Sequence, residues 1–367
     1  MSKPVTLDLE QNHTLLLRGP AWIRAKRGDA QCLGARIQSD DWTLIEEARQ
    51  EPIYAADNTL LEIIRGSGSS WSVIEESTVP VAWNEAAQVL QRQRGVCVII
   101  GEVDSGKSSL CTFLANKCLE DTGKVGIVDA DVGQADIGPP TTISSSVVQA
   151  PIIGLQKAAA EISFFIGDTS PSLVPDKVVN LATRLKKQMT RSADIVLVNT
   201  DGWLAEFNAL RHKQHLIEEI QPDVVIALSR SDEVIDPLLE RVKFASLKLP
   251  SSSFARVRSK EERKKARDAE YRRFLQASHK LGIGQETKAR MFDQLEQTVF
   301  PENRRFRGLV AGLLNQNEEL LSIARINQVG NGRVVVETKT IEKPTILEIG
   351  NVVLSSKYDE VGYGTLH

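Results

Sequence analysis

Few architectures accommodate the run Gly101-Glu102-Val103-Asp104-Ser105-Gly106-Lys107-Ser108, which continues into Ser109. The apolar stretch Val96-Cys97-Val98-Ile99-Ile100 precedes it, and the helical pattern Leu110-Cys111-Thr112-Phe113-Leu114-Ala115 follows. Strand, glycine loop and helix in that order are the context in which G-x-x-x-x-G-K-[ST] cradles a phosphate chain. The glycines let the backbone curl so that successive N–H groups point at a triphosphate, and the helix N-terminus adds the positive end of its dipole. Lys107 is placed to reach the β- and γ-phosphates, and the Ser108 hydroxyl to sit on Mg²⁺. A plain glycine turn would account for Gly101 and Gly106 but not for Lys107-Ser108. The sequence therefore predicts a nucleotide site over Gly101, Glu102, Val103, Asp104, Ser105, Gly106, Lys107, Ser108 and Ser109.

A chain of 367 residues is large for one domain, so two or three are expected. Hydrophobic and charged contents of 41% and 25% are those of an ordinary globular protein. No apolar run reaches the roughly 18 residues of a membrane span, and the N-terminus shows no signal-peptide pattern. Cys32, Cys97, Cys111 and Cys118 form no C-x-x-C pair and read as buried thiols in a reducing, cytoplasmic compartment. A net charge of −3 gives no global pull toward nucleic acid, so any polyanion site must come from local clustering.

Three blocks are predicted. Residues 1–88 show short alternating runs such as Ala21-Trp22-Ile23-Arg24-Ala25 and Leu60-Leu61-Glu62-Ile63-Ile64. Their spacing predicts a small β-sandwich, in which Trp22, Trp42 and Trp71 either stack on a base or, the favoured reading, pack in the core. Residues 89–300 alternate buried apolar strands with helices, which predicts an α/β domain with a doubly wound parallel sheet. Residues 301–367 are β-rich again and carry no evident catalytic constellation, so packing or docking of a protein partner is their expected role.

Within the central block each strand delivers polar or aromatic residues to one edge, where ligands of open α/β sheets sit. Val125-Gly126-Ile127-Val128 ends in Asp129-Ala130-Asp131-Val132-Gly133-Gln134. Asp131 is placed to take a proton from an attacking hydroxyl, and Asp129 to hold Mg²⁺ or its waters. Ile162-Ser163-Phe164-Phe165-Ile166 leads to Gly167-Asp168-Thr169-Ser170-Pro171, and Ile195-Val196-Leu197-Val198 to Asn199-Thr200-Asp201-Gly202-Trp203. Trp203 is positioned either to stack on a nucleobase or to pack. His212 and His215 share a helix face, but with no third ligand a solvated helix is expected. The basic segment of about 256–274 reads as helical from Ser259, with Arg263 and Arg267 on one face. They suit a phosphoryl clamp, although the interleaved Glu261, Glu262, Asp268 and Glu270 equally suit a solvated helix.

These elements, taken in order, resemble the polynucleotide 5′-hydroxyl kinases, which include the RNA kinase of pre-mRNA cleavage and tRNA splicing and the ribosomal-RNA-processing kinase. The matching pieces are Gly101 to Ser109, the Asp129 to Gln134 element, Gly167 to Pro171, Asn199 to Trp203, and Val257-Arg258-Ser259-Lys260 with Arg263 and Arg267. The resemblance implies transfer of the γ-phosphate of ATP to the 5′-OH of an RNA or DNA end. By it, Lys107 and Ser108 serve ATP and Mg²⁺, Asp131 is the general base, and Thr169 and Trp203 clasp the terminal nucleotide. Gln134 and Arg258 also lie on the nucleic acid, and Arg263 and Arg267 become lid arginines that stabilise the transferring phosphate. The family's adenine contacts come partly from its N-terminal domain, where no residues of this chain are matched. A competing expectation is a switch or assembly protein that hydrolyses ATP or GTP, prompted by Ser229-Arg230-Ser231-Asp232 at a strand end. That run lacks the Asn/Thr-Lys pair usual before a guanine-reading aspartate. A scaffold that has lost catalysis fits poorly with an intact Lys107, Ser108 and Asp131.

Overall fold

The computed structural model describes residues 3–296, 300–301, 304–330 and 332–364, with only the backbone of Asp232. The N-terminal block is a sandwich of two antiparallel sheets, of four and five strands. Alternation drives it: along Ala21–Arg27 and Gln50–Ala55 every second residue is buried. Trp22, Trp42 and Trp71 are half-buried rather than in the core, and the guanidinium groups of Arg24 and Arg65 lie 4.5 and 5.1 Å from the Trp42 and Trp71 ring centres. A planar cation retains more favourable contact there than a fully buried indole N–H without a partner would. The Gly66–Ser70 loop links strands of different sheets.

The central sheet has seven strands in the order Ile162–Phe165, Thr142–Val148, Val125–Ala130, Ile195–Thr200, Gly95–Gly101, Val224–Ser229, Ser246–Pro250. The last five are mutually parallel. Thr142–Val148 runs antiparallel to its neighbours on both sides. Two reversals therefore return Ile162–Phe165 to the parallel sense and bring Thr169 to the same edge as the phosphate loop. Thr142–Val148 escapes the sequence reading because its inward residues are serines: Ser144 Oγ bonds Ser163 Oγ at 2.8 Å.

The helices are α1 (Val81–Gln93), α2 (Lys107–Thr122), α3 (Pro175–Met189), α4 (Phe207–Ile220), α5 (Asp232–Leu239) and α6 (Lys260–Leu275). The strand Gly95–Gly101 is buried on both faces, as a covered parallel strand must be. Cys97 and Ile99 join the core shared by α1, α2 and the N-terminal sandwich. Val96, Val98 and Ile100 join the core of α3, α4 and the C-terminal sheet. The C-terminal sheet takes in His279–Gly284 and Lys288–Met291, so the change of architecture follows α6 rather than residue 301. Phe165 ends the edge strand of the central sheet, and its side chain packs into the core of the C-terminal sheet. A Cβ on Gly312 would lie 2.5 Å from the Phe165 ring, so only glycine admits it.

Candidate active site

The phosphate loop closes the strand Gly95–Gly101 and opens α2 at Lys107. Lys107 is 5% exposed and its Nζ donates to the Glu102 carbonyl at 2.8 Å. Burial holds its ammonium below the usual range against the pull of Asp131. Gly202 lets the neighbouring strand end press on this loop: a Cβ there would stand 2.5 Å from the Val103 backbone. Among the described residues the buried Ser105 Oγ and Asn199 Oδ1 have no hydrogen-bond partner. Asn199 Nδ2 lies 3.5 Å from Ser108 Oγ. Two underused oxygens beside a phosphate cradle suit a hard cation that takes few protein ligands.

The two aspartates after Val128 do different things. Asp129 is 1% exposed. Its Oδ2 accepts the N–H groups of Asp136 and Ile137 at 2.7 and 2.9 Å, and its Oδ1 those of Asn199 Nδ2 and Asp131 at 3.0 and 3.3 Å. It fixes the loop 131–137 and the rotamer of Asn199, and burial with the charges of Asp136 and Asp131 raises its carboxyl. Asp131 accepts the N–H groups of Gly133 and Gln134 on Oδ1 alone, at 3.1 and 3.0 Å. Burial pushes it up to about 6, with Lys107 opposing and Asp201 adding. A half-buried carboxylate with one oxygen uncommitted is equipped to accept a proton.

Two cavities meet here. One, of about 230 Å³, lies between the N-terminal sandwich and the phosphate loop and reaches Arg49, Glu51, Trp83 and Phe254. The other, of about 340 Å³, is lined by Thr169, Trp203, Arg263 and Arg267 among others. Asp104, Lys107, Asp131, Gln134 and Arg258 line both.

Trp203 is held from two sides. Its backbone N–H donates to Asp201 Oδ1 at 2.8 Å, and Asp201 Oδ2 pairs with the fully buried Lys213 at 2.5 Å. Its ring lies 5.8 Å from the His212 ring, at 37°. His212 is 4% exposed, against the solvated helix face expected; burial lowers it to about 4, so it backs Trp203 as a neutral ring. His215 is exposed.

The basic segment is not a free solvated face either. Asp104 of the phosphate loop accepts from the Arg258 N–H and Nε at 2.9 and 2.8 Å and from Arg263 Nη1 at 3.2 Å. Burial alone would raise the Asp104 carboxyl, yet these arginines hold it below the usual range. Arg267 turns to the C-terminal sheet, where Glu360 takes it in two bonds of 2.8 and 2.9 Å. Arg230, in the run that suggested a guanine reader, donates its N–H to Glu102 at 3.1 Å and its guanidinium to the Asp104 carbonyl. It braces the phosphate loop; the Asp232 side chain lies outside the described residues. The sequence reading assigned no role to Asn199, Glu51, Glu360 or Tyr363. Asn199 was within reach of it, at a strand end beside Asp129, whereas the others join the site only through the packing of separate blocks.

Residues 101–277 match the family model described as mRNA cleavage and polyadenylation factor CLP1 P-loop. The chain is 28% identical over 257 residues to a polyribonucleotide 5′-hydroxyl-kinase of Pyrococcus furiosus, covering 68% of this chain and 69% of that protein. It is 34% identical over 190 residues to a polyribonucleotide 5′-hydroxyl-kinase of Methanocaldococcus jannaschii, covering 51% and 52%. A chain of a solved Clp1p–Pcf11p complex shares the fold at 13% identity, with a TM-score of 0.73 over 96% of this chain and 98% of that one.

Proposed function

We propose that the chain belongs with the polynucleotide 5′-hydroxyl kinases that its P-loop domain resembles, and that it transfers the γ-phosphate of ATP to the 5′-hydroxyl end of RNA. The observation that carries the reading is the meeting of two cavities at Lys107 and Asp131. A hydrolytic switch needs one nucleotide cavity and a water. A transferase needs a second, shaped cavity for its acceptor, opening on the same phosphoryl group.

In the proposed reaction ATP occupies the first cavity, with its phosphates along Gly101–Ser109. The RNA end occupies the second, its terminal base on Trp203 and its backbone near Thr169, Gln134 and Arg258. Asp131 accepts the 5′-hydroxyl proton as the new O–P bond forms and the bond from the γ-phosphorus to the bridging oxygen breaks, releasing ADP. Lys107, Arg263 and Arg267 hold the charge on the transferring group. Ser108, with Asn199 and Asp129 behind it, would hold Mg²⁺, which would neutralise triphosphate charge when bound. Protein partners at the C-terminal sheet belong to the same reading. Four free, buried cysteines suit a cytoplasmic setting. Among the described residues no helix is long and apolar enough to cross a membrane.

The test is direct. Incubation with γ-labelled ATP and a 5′-OH oligoribonucleotide should label the oligonucleotide, and an oligodeoxynucleotide in parallel reads the RNA preference. Asp131→Asn should slow transfer by about 10²- to 10⁴-fold, the usual worth of a positioned base, and leave ATP binding nearly intact. Absence of transfer to RNA or DNA of any length would end the proposal.

A further inference from the structure

The last strand of the C-terminal sheet, Glu360–Tyr363, pairs with Ile346–Leu354 and lies against α6. Two of its side chains reach into the site. Glu360, only 5% exposed, engages the Nε and Nη2 edge of Arg267. Its own backbone N–H donates to Asp268 of α6 at 2.7 Å. Tyr363 Oη lies 2.8 Å from Thr169 Oγ1 and donates to Glu360 Oε1 at 3.4 Å. The result is one chain of polar contacts, Thr169 to Tyr363 to Glu360 to Arg267. Its two ends line the same cavity. Asn351, on the neighbouring strand, braces the loop from behind: its N–H donates to the Gly167 carbonyl at 2.7 Å and its Nδ2 to Asp168 at 2.8 Å.

We propose that the C-terminal sheet is a working part of the acceptor site, in which Tyr363 positions Thr169 and Glu360 positions Arg267. This rests on the kinase reading and extends it, since that reading gives the C-terminal sheet no part in phosphoryl transfer. The chemistry favours orientation over mere packing. A bidentate carboxylate fixes the plane of a guanidinium, and using its Nε–Nη2 edge leaves the Nη1 amino group for a phosphoryl oxygen. Threonine, whose hydroxyl otherwise rotates freely, has it fixed by the phenol. Because Tyr363 touches both Thr169 and Glu360, an acceptor that displaces or redirects the Thr169 hydroxyl is felt at Arg267 through three successive polar contacts. The sheet thereby couples occupancy of the acceptor cavity to the aim of the lid arginine.

Tyr363→Phe and Glu360→Gln in the full chain test it, with the melting temperature checked for each. Loss of one neutral hydrogen bond predicts that Tyr363→Phe raises the acceptor KM by about 3- to 10-fold, with the ATP KM unchanged. Glu360→Gln, whose amide nitrogen cannot accept as the second carboxylate oxygen does, should lower kcat by about tenfold or more, and Glu360→Asp should recover part of it. The Thr169→Val and Tyr363→Phe effects on the acceptor KM should be strongly non-additive, as for two ends of one contact. Anisotropy of a labelled 5′-OH oligonucleotide with a non-hydrolysable ATP analogue reads acceptor affinity without turnover. Weaker binding by Tyr363→Phe supports the positioning role even if the wild type transfers nothing, an outcome that would count against the kinase reading alone. Wild-type affinity and rates in both variants, or equal losses in both KM values with a fall in melting temperature, would overturn the inference.

Discussion

Asp129 and Asp131 stand one residue apart, and their difference shows what a residue's surroundings decide. The carboxylate with four N–H donors holds a loop; the one with two, both on a single oxygen, is left for chemistry. The types and the spacing were legible in the sequence, because strand-end placement is local, but the division of labour depends on where loop 131–137 folds back. Glu51 shows the reverse case: nothing in Gln50–Ala55 marks it, yet it is buried, bonded to Gln156 Nε2 at 3.1 Å. Burial pushes it up to about 7, with Arg49 opposing. A folded-state value above the unfolded 4.5 means that the folded chain keeps a proton that the unfolded chain gives up. The associated stability is complete below about 4.5 and is lost as pH rises through about 7, on the order of 3 kcal/mol at most. Glu51→Gln should not pay this penalty. Its melting temperature relative to wild type should rise between about pH 5 and about pH 8, and parallel curves for the two proteins across that range would refute the assignment.

At the scale of elements, what was legible follows from what is local. The phosphate loop, its strand and α2 are specified within the continuous run Gly95 to Thr122, and the alternating N-terminal strands by their own burial pattern. The α6 segment is ambiguous in sequence for a physical reason: carboxylates interleave with its more numerous basic residues and can pair within the helix, whereas those that select Arg263, Arg267 and Arg272 lie elsewhere, at Asp104, Glu360 and Asp359. Its start was nonetheless encoded. Ser259 accepts from the Glu262 N–H at 3.1 Å, while Glu262 accepts from the Ser259 N–H at 3.0 Å, a reciprocal cap. Because Arg258 and Arg263 flank this cap and are tied to Asp104, loosening it should loosen the arginines' placement on the phosphate loop. Ser259→Ala should cost about 1 kcal/mol of local stability. Hydrogen exchange should then speed up in the first turn of α6 and leave α2 unchanged; equal acceleration in both would mean a global effect instead of a cap.

For the whole molecule the question is whether three blocks behave as three domains. Their cores are continuous: the sandwich shares one with α1 and α2, and the C-terminal sheet shares another with α3 and α4. Ion pairs cross the same seams. Arg49 of the sandwich pairs with Asp136 at 2.5 Å, and Lys177 of α3 meets Glu348 of the C-terminal sheet at 2.5 Å. Multi-block chains of this length often unfold in stages, but here no block can leave without exposing the apolar face of its neighbour. The five tryptophans allow a check, since Trp22, Trp42, Trp71, Trp83 and Trp203 all precede the C-terminal sheet. Fluorescence therefore follows the first two blocks and far-ultraviolet circular dichroism the entire chain. One cooperative unit predicts that their urea transitions superimpose. Separate melting of the C-terminal sheet would appear as lost dichroism before any change in fluorescence, and would disprove the single unit. Phe165→Ala sharpens the test, because it removes the ring at 2% exposure that joins the two sheets. It should cost about 3–5 kcal/mol and shift both probes together. A shift confined to dichroism would mean that the seam between central and C-terminal sheets transmits nothing, and with it would fall the structural basis for Glu360 and Tyr363 acting on the acceptor site.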